Sequence, residues 1–287
     1  MSTAYLNGVF LPLDQAHVSV MDRGFLFGDG VYEVIPVYGG KLFRLGYHLK
    51  RLQNSLDAVR IVNPLADDGW ESMLKQLVAG NEGHDQTVYL QVTRGVAPRR
   101  DHTFPANSLP TVFAMSTPCL VPRDIDDEPG VSAITLADIR WQYCNVKAIT
   151  LLPNILLRQQ AIDTDAAEAI LIKNGYAVEG AASNLFIVRD GVLITPPNSA
   201  DLLPGVTRDL VLELAQASGI PSKEVAIAVG ELALADEIWL TSSTREISPV
   251  VHLDDRAVSG GKPGPAWHRM IRLYQEYKEA VRLGRAA

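Results

Sequence analysis

The sequence is poor in cysteine, has no cluster of basic residues and contains no long apolar run. Its two cysteines, Cys119 and Cys144, lie far apart and in no metal-ligand spacing, which is typical of a reducing compartment and of a protein without a metal site. The formal net charge of −7 argues against nucleic acid or an anionic membrane as a partner. Nowhere do about 18 apolar residues follow one another, and the first residues lack a basic start before an apolar stretch. These absences predict a cytoplasmic protein that binds small molecules.

The length and the composition predict a globular protein of one large or two medium domains. The chain has 287 residues, of which 47% are hydrophobic, enough for a sizeable core. The stretch TPCLVPRDIDDEPG combines three prolines with a group of acids, which is typical of a connector. We therefore expect a domain over 1–118, a connector over 119–130 and a second domain over 131–287.

Periodicity in the first half predicts a mixture of strands and helices. The dipeptide Asn7-Gly8 separates two short apolar segments and predicts a hairpin. Apolar residues recur at three- and four-residue steps over 47–59 and over 70–78, which predicts two amphipathic helices. The alternating segment TVYLQVTRG then predicts a half-buried strand. The first half should therefore be α/β.

The second half predicts meandering strands with helices outside them. The segments AEAILIK, NLFIV and VLITP are separated by the turn dipeptides Asn174-Gly175 and Asp190-Gly191, and a helix should follow Pro153. The last helix should bury one face, formed by Trp267, Met270, Ile271 and Tyr274.

Lys147 stands in the apolar segment CNVKAITLLPN, between Val146 and Ala148. A lysine taken alone is most often a surface residue, but these flanks favour a strand end or a turn leading into the core. A desolvated lysine has a lowered pKa and becomes an amine nucleophile, which can hold a carbonyl cofactor as a Schiff base. Pyridoxal phosphate needs such a lysine, an acidic partner for its ring nitrogen and a cradle for its phosphate group.

Glu179 is the candidate for the acidic partner. It lies in VEGAASNLF, where Val178 and small residues are poor neighbours for a solvated carboxylate, and Arg140 can balance its charge. A carboxylate hydrogen-bonded to the pyridine nitrogen keeps that nitrogen protonated, so that the ring accepts electrons released at the substrate α-carbon. A plain buried Arg–Glu pair is the alternative interpretation.

Two loops are candidates for the phosphate cradle. Gly205 precedes the periodic segment VTRDLVLELA, so the amides of Val206 and Thr207 would point out of a helix N-terminus, where anions bind. An ordinary helix start is the alternative interpretation. The segment TSSTREISP predicts a second, hydroxyl-rich loop after the strand EIWL. Its candidate donors are Ser242, Ser243 and Thr244. Arg51, on the first predicted helix, can add a fixed positive charge.

Together these segments resemble the class IV, or fold type IV, pyridoxal phosphate aminotransferases, which include D-amino acid and branched-chain aminotransferases. The resemblance covers nearly the whole chain and runs in order through RGFLFGDGVYEVI, YHLKRLQNS, NVKAITLLPNILLRQQA, EGAASNLFIV, LLPGVTRDLVLELA and DEIWLTSSTREISPV. It implies an α/β (α+β) fold with a small N-terminal α/β domain and a larger, barrel-like C-terminal α/β domain that binds the cofactor. Such enzymes are typically homodimers with the active site near the interface.

The resemblance also implies roles for single residues. Lys147 matches the Schiff-base lysine, Glu179 the acid at the ring nitrogen, and Arg140 the partner that holds this acid. Leu203 matches a residue that packs against the cofactor ring. The positions that match phosphate-binding residues are Arg51, Val206, Thr207 and Ser243.

Substrate choice within this family points to the loop VTRGVAPRRDHTFP. It carries Arg100 and His102, and in the D-amino acid aminotransferases a similar Arg-x-His pair, with a tyrosine matching Tyr32, captures the substrate α-carboxylate. An arginine fork suits a carboxylate because it donates two parallel hydrogen bonds. A basic surface loop is the alternative interpretation. Arg99 is the alternative ligand, and the spacing to His102 favours Arg100.

The activity that the resemblance implies is transamination of D-amino acids such as D-alanine with 2-oxo acids such as 2-oxoglutarate, by a ping-pong mechanism in which freed Lys147 is the general base. The alternatives on the same scaffold are a branched-chain L-amino acid aminotransferase, an R-amine transaminase and an aminodeoxychorismate lyase. A non-catalytic cofactor-binding protein is the alternative outside the enzymes. The Arg-x-His pair speaks against the branched-chain enzyme, and Lys147 with Glu179 speaks against a non-catalytic protein.

Overall fold

The computed structural model describes residues 2–119 and 125–286. Of the predicted connector 119–130, residues 120–124 lie outside the described residues. Contacts divide the rest of the chain into two compact units. The described residues of unit 1 fall within Met1–Val121, Val146–Thr150 and Lys278–Ala287, and those of unit 2 within Pro122–Asn145 and Leu151–Tyr277.

Unit 1 is built on a six-stranded antiparallel sheet in the order β2-β1-β6-β5-β3-β4. The strands are β1 (Thr3–Leu6), β2 (Val9–Pro12), β3 (Gly30–Tyr38), β4 (Lys41–Leu42), β5 (Gln86–Thr93) and β6 (Thr111–Pro118). The helices are α1 (Arg23–Phe27), α2 (Leu45–Ala58) and α3 (Asp67–Ala79). The predicted hairpin forms between β1 and β2, since Asn7 and Gly8 both take positive φ, 48° and 97°.

The two predicted amphipathic helices supply most of the core of unit 1. Leu52 and Leu56 of α2 and Trp70, Leu74 and Leu77 of α3 are almost fully buried and belong to one apolar cluster. Each such side chain contributes about 2 kcal/mol when it leaves water. The cluster also contains strand residues from β3 and β5, so the helices cover one face of the sheet.

Lys147 belongs to a short segment that packs with unit 1, although its neighbours along the chain belong to unit 2. Val146 and Ala148 are buried in the apolar cluster of unit 1, and Ala148 forms an isolated antiparallel bridge with Val31 of β3. The predicted strand end or turn is therefore a turn stitched to a strand more than 100 residues away in sequence. The predicted domain bounds, 1–118 and 131–287, stay a prediction.

Unit 2 contains a ten-stranded mixed sheet in the order β12-β11-β10-β14-β15-β7-β8-β9-β13, with β16 paired to β15. The strands are β7 (Val131–Ala137), β8 (Glu168–Lys173), β9 (Tyr176–Gly180), β10 (Asn184–Arg189), β11 (Val192–Thr195), β12 (Ser222–Glu224), β13 (Ile227–Ala228), β14 (Glu237–Ser242), β15 (Glu246–Leu253) and β16 (Arg256–Ala257). The helices are α4 (Leu152–Ile162), α5 (Val206–Ala217), α6 (Val229–Leu232) and α7 (Pro265–Arg282), and the residues of α7 from Lys278 onward are assigned to unit 1.

Local signals in the second half place these elements correctly. Pro153 lies in the first turn of α4, where its missing N–H leaves no helical acceptor unsatisfied. Asn174 and Asp190 take positive φ in the turns that join β8 to β9 and β10 to β11. The predicted face of α7 is buried, with Trp267, Met270, Ile271 and Tyr274 at most 1% exposed. The α/β class is confirmed for both units.

Among the described residues, no helix combines the length and the apolar character that a membrane span requires.

Candidate active site

The predicted site residues divide between the two units. Unit 1 holds Tyr32, Arg51, Arg100, His102 and Lys147. Unit 2 holds Arg140, Glu179, Leu203, Val206, Thr207, Ser242, Ser243 and Thr244.

Lys147 is fixed through its backbone and leaves its amine beside an aromatic ring. Its N–H donates to Ser55 Oγ of α2 at 3.1 Å, and its carbonyl oxygen accepts from the N–H of Tyr32 in β3 at 3.0 Å. The Nζ atom lies 4.2 Å from the centroid of the Tyr32 ring, within the range of a cation–π contact. The side chain is half-buried. Tyr32 and Lys147, two of the predicted site residues, are therefore neighbours.

Arg51 of α2 is buried in an ionic cluster with Glu33 and His48. Its Nε and Nη2 atoms donate to Glu33 Oε1 and Oε2 at 2.8 and 2.7 Å, and His48 Nδ1 lies 2.7 Å from Glu33 Oε2. His48, Arg51 and Ser55 recur at three- and four-residue steps, so they form one polar stripe along the buried side of α2. Burial raises the pKa of the Glu33 carboxyl, but the charge and hydrogen bonds of Arg51, with those of His48, outweigh burial and hold the pKa below its ordinary value.

The loop with the Arg-x-His pair is exposed, and both members contact one aromatic ring. The Arg100 guanidinium carbon lies 4.9 Å from the centroid of the Phe27 ring, and the His102 and Phe27 ring centroids are 5.3 Å apart. Arg99 is 81% exposed and pairs with Asp101 at 3.2 Å. Arg100 and His102 thus share a support that Arg99 lacks in these contacts, which favours Arg100 as the ligand.

Glu179 is only 4% exposed and is held by donors from three parts of unit 2. Its Oε1 atom accepts from Arg140 Nη1, and its Oε2 atom accepts from Asn184 Nδ2 and from the N–H of Leu203, both at 3.1 Å. Arg140 also pairs with Asp138, at 2.9 Å. Burial raises the pKa of the Glu179 carboxyl to about 7, against the lowering effect of the Arg140 charge and hydrogen bond.

The helix N-terminus expected from the sequence is present. Helix α5 begins at Val206 after Gly205, which is the N-cap, and Val206 and Thr207 are both buried. The first amides of a helix have no intrahelical acceptor, so those of Val206 and Thr207 face the helix entrance. A Cβ atom at position 205 would lie 1.8 Å from Asn184 Oδ1, so only glycine fits against this amide.

The hydroxyl-rich segment is the turn between β14 and β15. Ser242 Oγ accepts from the N–H of Arg245 at 3.1 Å, while Ser243 is half-buried and Thr244 is exposed. Just before the turn, Thr241 pairs with Asn184 of β10 in the sheet register. In the described part of the chain, the buried Thr241 Oγ1 has no hydrogen-bond partner. Thr241 is therefore a polar group that sequence reasoning did not single out.

The residues present fit pyridoxal phosphate. Unit 1 offers an amine at Lys147, and unit 2 offers a buried acid at Glu179, an open helix N-terminus at Val206 and the unsatisfied hydroxyl of Thr241. An amine, an acid and an anion site are the three parts that this cofactor requires of a protein.

Residues 30–253 match the model of the family described as amino-transferase class IV. The chain belongs to this family. The match begins with β3 and ends with β15, so the class IV part contains Tyr32, Glu33, Lys147 and Glu179. The predicted family, and with it the aminotransferase activity, is confirmed.

Curated class IV relatives support the same assignment. A D-alanine aminotransferase of Bacillus licheniformis is 40% identical over 259 residues, which is 90% of this chain and 91% of the relative. A D-alanine aminotransferase of Listeria innocua is 39% identical, and the alignment covers 94% of each chain. Among solved structures, a branched-chain amino acid aminotransferase from Escherichia coli has a TM-score of 0.87 and 27% identity, over 100% of this chain and 96% of that one. The predicted fold type is confirmed.

Sequence reasoning missed the partners that hold the predicted residues of this class IV chain. Glu33 holds Arg51 and also contacts His48, and Asp138 and Asn184 surround the Arg140–Glu179 pair. Glu33 left one local signal, a lone carboxylate within the apolar strand segment VYEVI. Buried charges are paired, so this signal predicts a cationic partner without naming it.

Proposed function

We propose that this chain is a D-amino acid aminotransferase that moves the amino group of substrates such as D-alanine to 2-oxo acids such as 2-oxoglutarate. The observation that carries the proposal is the Arg-x-His pair of Arg100 and His102, whose side chains both contact the ring of Phe27. A guanidinium beside an imidazole suits an α-carboxylate. The D-alanine aminotransferases among the curated relatives support the same substrate class.

Pyridoxal phosphate, when bound, supplies an electrophilic ring that takes up the electron pair released at the substrate α-carbon. Lys147 would hold it covalently through Nζ. Glu179, whose pKa burial raises to about 7, would hold a proton at the ring nitrogen near neutral pH. The phosphate group would lie against the α5 N-terminus, with Val206 and Thr207 as amide donors, and with Arg51, Ser242, Ser243 and Thr244 as side-chain candidates. Leu203 would pack against the ring.

Lys147 also serves as the general base in this proposal. With substrate in place, the free amine of Lys147 would take the proton from the substrate α-carbon, hold it as an ammonium at Nζ, and later give it up. The Lys147 backbone is fixed to Ser55 and Tyr32, and Nζ lies over the Tyr32 ring, so the proton acceptor would approach the substrate from the side of Tyr32. The position of the α-carboxylate then decides which enantiomer presents its hydrogen to Nζ. Arg100, His102 and Tyr32 would set that position.

The test is the half-reaction of the cofactor-loaded protein with D-alanine, L-leucine and an R-amine, each added without an amino acceptor. We expect D-alanine to convert the absorption band of the loaded protein to that of the aminated cofactor, and we expect L-leucine to convert it at least about a hundredfold more slowly. Conversion by L-leucine at a matching rate would reject the D-amino acid assignment. D-alanine can release only one pyruvate per cofactor in this half-reaction, so release of many pyruvates per cofactor from aminodeoxychorismate, without an acceptor, would instead identify a lyase.

A branched-chain L-amino acid aminotransferase is the second candidate, because the solved Escherichia coli structure with the TM-score of 0.87 carries that name. The two candidates share Lys147 and Glu179 and differ at the carboxylate site. Changing Arg100→Gln separates them, since it should impair D-alanine conversion and leave capture of the cofactor by Lys147 intact.

Two further predictions belong to the same proposal. A homodimer is supported by apolar side chains that stand in water in the single chain, such as Phe25 at 71% and Leu109 at 85% exposure. The cytoplasmic location stays a prediction. Light scattering of the cofactor-loaded protein would measure its oligomeric state, and a monomer at micromolar concentration would reject the homodimer.

A further inference from the structure

The loop that carries Arg100 and His102 depends on side chains for its shape. Within the part of the chain that the structure describes, residues 99–104 form no hydrogen bond between main-chain groups. Inside the loop, the N–H of Thr103 donates to Asp101 Oδ1 at 3.1 Å, and Arg99 pairs with Asp101. The remaining constraints come from outside the loop.

Among the described residues, one buried arginine supplies the hydrogen bonds that reach this loop from outside. Arg23 is 3% exposed, and its Nη1 atom donates to the carbonyl oxygens of Asp101 at 2.5 Å and Thr103 at 3.3 Å. Its Nη2 atom donates to the carbonyl oxygen of His102 at 3.4 Å. A single guanidinium therefore contacts three consecutive backbone carbonyls, and the middle one belongs to His102.

Arg23 is itself held from its other side. Its Nε atom donates to Asp29 Oδ2 at 2.8 Å, and the same carboxylate binds Arg94 through Nε at 2.8 Å and Nη2 at 3.0 Å. Arg94 in turn donates to the carbonyl oxygens of Val59 and Arg60. The two arginines hold the pKa of the Asp29 carboxyl below its ordinary value, against the effect of burial. Asp29 is thus a charged anchor between the end of α1 and the start of the loop.

Helix α1 carries both Arg23 and the aromatic ring that supports the loop. The carboxylate of Asp22 caps α1 by accepting from the N–H of Gly24 at 2.8 Å, and it also accepts from Thr93 Oγ1. Four residues after Arg23, Phe27 presents a ring that lies 4.8 Å from the Arg23 guanidinium carbon. Arg100 and His102 contact this same ring. One turn of helix therefore carries both the backbone clamp and the side-chain support of the loop.

We infer that Arg23 is a positioning residue for substrate recognition: it clamps the backbone of residues 101–103 so that Arg100 and His102 stand ready for a carboxylate. The inference rests on the proposed function for the role of Arg100 and His102. Arg23 itself faces backbone oxygens and Asp29, and it acts through the loop. Because the loop is ordered before substrate arrives, binding a carboxylate does not have to order it. Loss of the clamp should weaken substrate binding while leaving the chemistry at Lys147 intact.

The first measurement is tryptic cleavage of the cofactor-loaded protein after Arg99 and Arg100, followed by mass spectrometry of the fragments. Trypsin needs a locally unfolded segment, so its rate reports how often the loop opens. In Arg23→Lys, the ammonium can keep a contact with Asp29 but cannot span three carbonyls. We expect cleavage at these two bonds to accelerate about tenfold or more, as for loss of charge-assisted hydrogen bonds. Asp29→Asn should act in the same direction and is the second variant if Arg23→Lys fails to fold.

The matched control is Arg208→Lys. Arg208 is another buried arginine that donates to a backbone carbonyl, of Pro196 at 2.8 Å, and to a carboxylate, of Glu224 at 2.6 Å. It belongs to unit 2, whereas the loop belongs to unit 1. The control should therefore share the general effect of replacing a buried arginine and leave cleavage after Arg99 and Arg100 at the original rate.

The second measurement is the steady-state rate with D-alanine. Arg23→Lys should raise KM for D-alanine about tenfold and change kcat less than about threefold, which a general loss of stability would not produce. Unchanged loop cleavage in both Arg23→Lys and Asp29→Asn, or an equal fall in kcat and kcat/KM, would overturn the inference. If the unaltered protein converts L-leucine and not D-alanine while the loop still opens faster in Arg23→Lys, the proposed function fails and the clamp stands.

Discussion

Each unit of the molecule buries a glutamate beside an arginine, and the pKa values of the two carboxyls move in opposite directions. In unit 1 the pKa of Glu33 is lowered, and in unit 2 the pKa of Glu179 is raised to about 7. Burial is the largest effect on both carboxyls, so burial alone does not explain the difference. The partners do.

Glu33 receives both hydrogen bonds of the Arg51 fork and a further contact from His48. Glu179 accepts one hydrogen bond from Arg140. The Nε and Nη2 atoms of Arg140 donate to Asp138 instead. The first cluster balances one negative and one positive charge, whereas the second places two carboxylates on one guanidinium. A carboxylate that shares its counter-charge keeps a pKa near neutrality, where proton exchange is useful. We therefore expect Glu33 to serve structure and cofactor placement, and Glu179 to serve the chemistry.

The largest expected effect separates the two carboxyls by activity. Glu179→Gln should lower kcat with D-alanine by about a hundredfold or more, because an amide cannot hold a proton at the ring nitrogen. Glu33→Gln should change kcat of the cofactor-saturated protein by only about threefold, and should weaken capture of the cofactor because Arg51 loses its fork partner. Kinetics at saturating pyridoxal phosphate and a cofactor titration measure the two effects. A larger fall in kcat for Glu33→Gln than for Glu179→Gln would reverse the assignment.

The second largest expected effect of replacing Glu33 is on the free energy of unfolding. Glu33→Gln leaves the Arg51 charge buried without its counter-charge, so the free energy of unfolding at pH 7 should fall by about 3 kcal/mol. Urea denaturation followed by circular dichroism measures this change. Glu71→Gln, at a half-exposed glutamate paired with Lys75 in α3, is the matched control and should cost less than about 1 kcal/mol.

The pH dependence of stability should have opposite signs for the two carboxyls. The pKa of Glu33 is lowered by folding, so its stabilising contribution is present above about pH 4.5 and is lost as the pH falls below that value. The pKa of Glu179 is raised by folding to about 7, so its contribution is present below about pH 4.5 and is lost as the pH rises toward 7. Subtracting the unfolding free energy of each Glu→Gln variant from that of the cofactor-free protein, between pH 3 and 8, gives both curves. Curves of the same sign would show that the partners do not control the difference.

The smallest expected effect concerns Asp138. In Asp138→Asn the competing carboxylate is gone and Arg140 can serve Glu179 alone, so the pKa of Glu179 should fall by a fraction of a unit. Carbon-detected NMR titration of labelled glutamate measures this fall. Asp163→Asn, at an exposed aspartate after α4, should leave the Glu179 titration unchanged. A rise in the Glu179 pKa in Asp138→Asn would contradict the charge-sharing account.

The sequence predicted the local features of this fold, and it singled out two charged residues in apolar segments as candidates for the site. Asn7-Gly8, Asn174-Gly175 and the apolar face of α7 follow from short-range rules of turn geometry and helical period, and each lies where those rules place it. Lys147 and Glu179 stood out because charged groups are rare in apolar segments. These signals need only a few neighbouring residues.

The pairings could not be predicted in the same way. Arg51 contacts Glu33 across 18 residues, and Arg23 contacts the carbonyl of His102 across 79. Helical periodicity identifies the apolar positions of α2, and it does not show that the polar residues between them, Arg51 among them, are buried against a strand that carries one acid. The segment 146–150 packs with unit 1 through its bridge to Val31, a contact fixed by the folded sheet and by no local pattern.

Gly205 has a consequence for anyone who wishes to redesign this enzyme. A methyl group at position 205 would displace the side-chain amide of Asn184, and that amide is one of the donors on Glu179. A mutagenesis library that varies the first residues of α5 to accept a new substrate would therefore also disturb Glu179, the proposed acid at the ring nitrogen, and would yield poor catalysts for a reason unrelated to substrate fit. Libraries that hold position 205 as glycine and vary the loop around Arg100 keep recognition and chemistry as separate design variables.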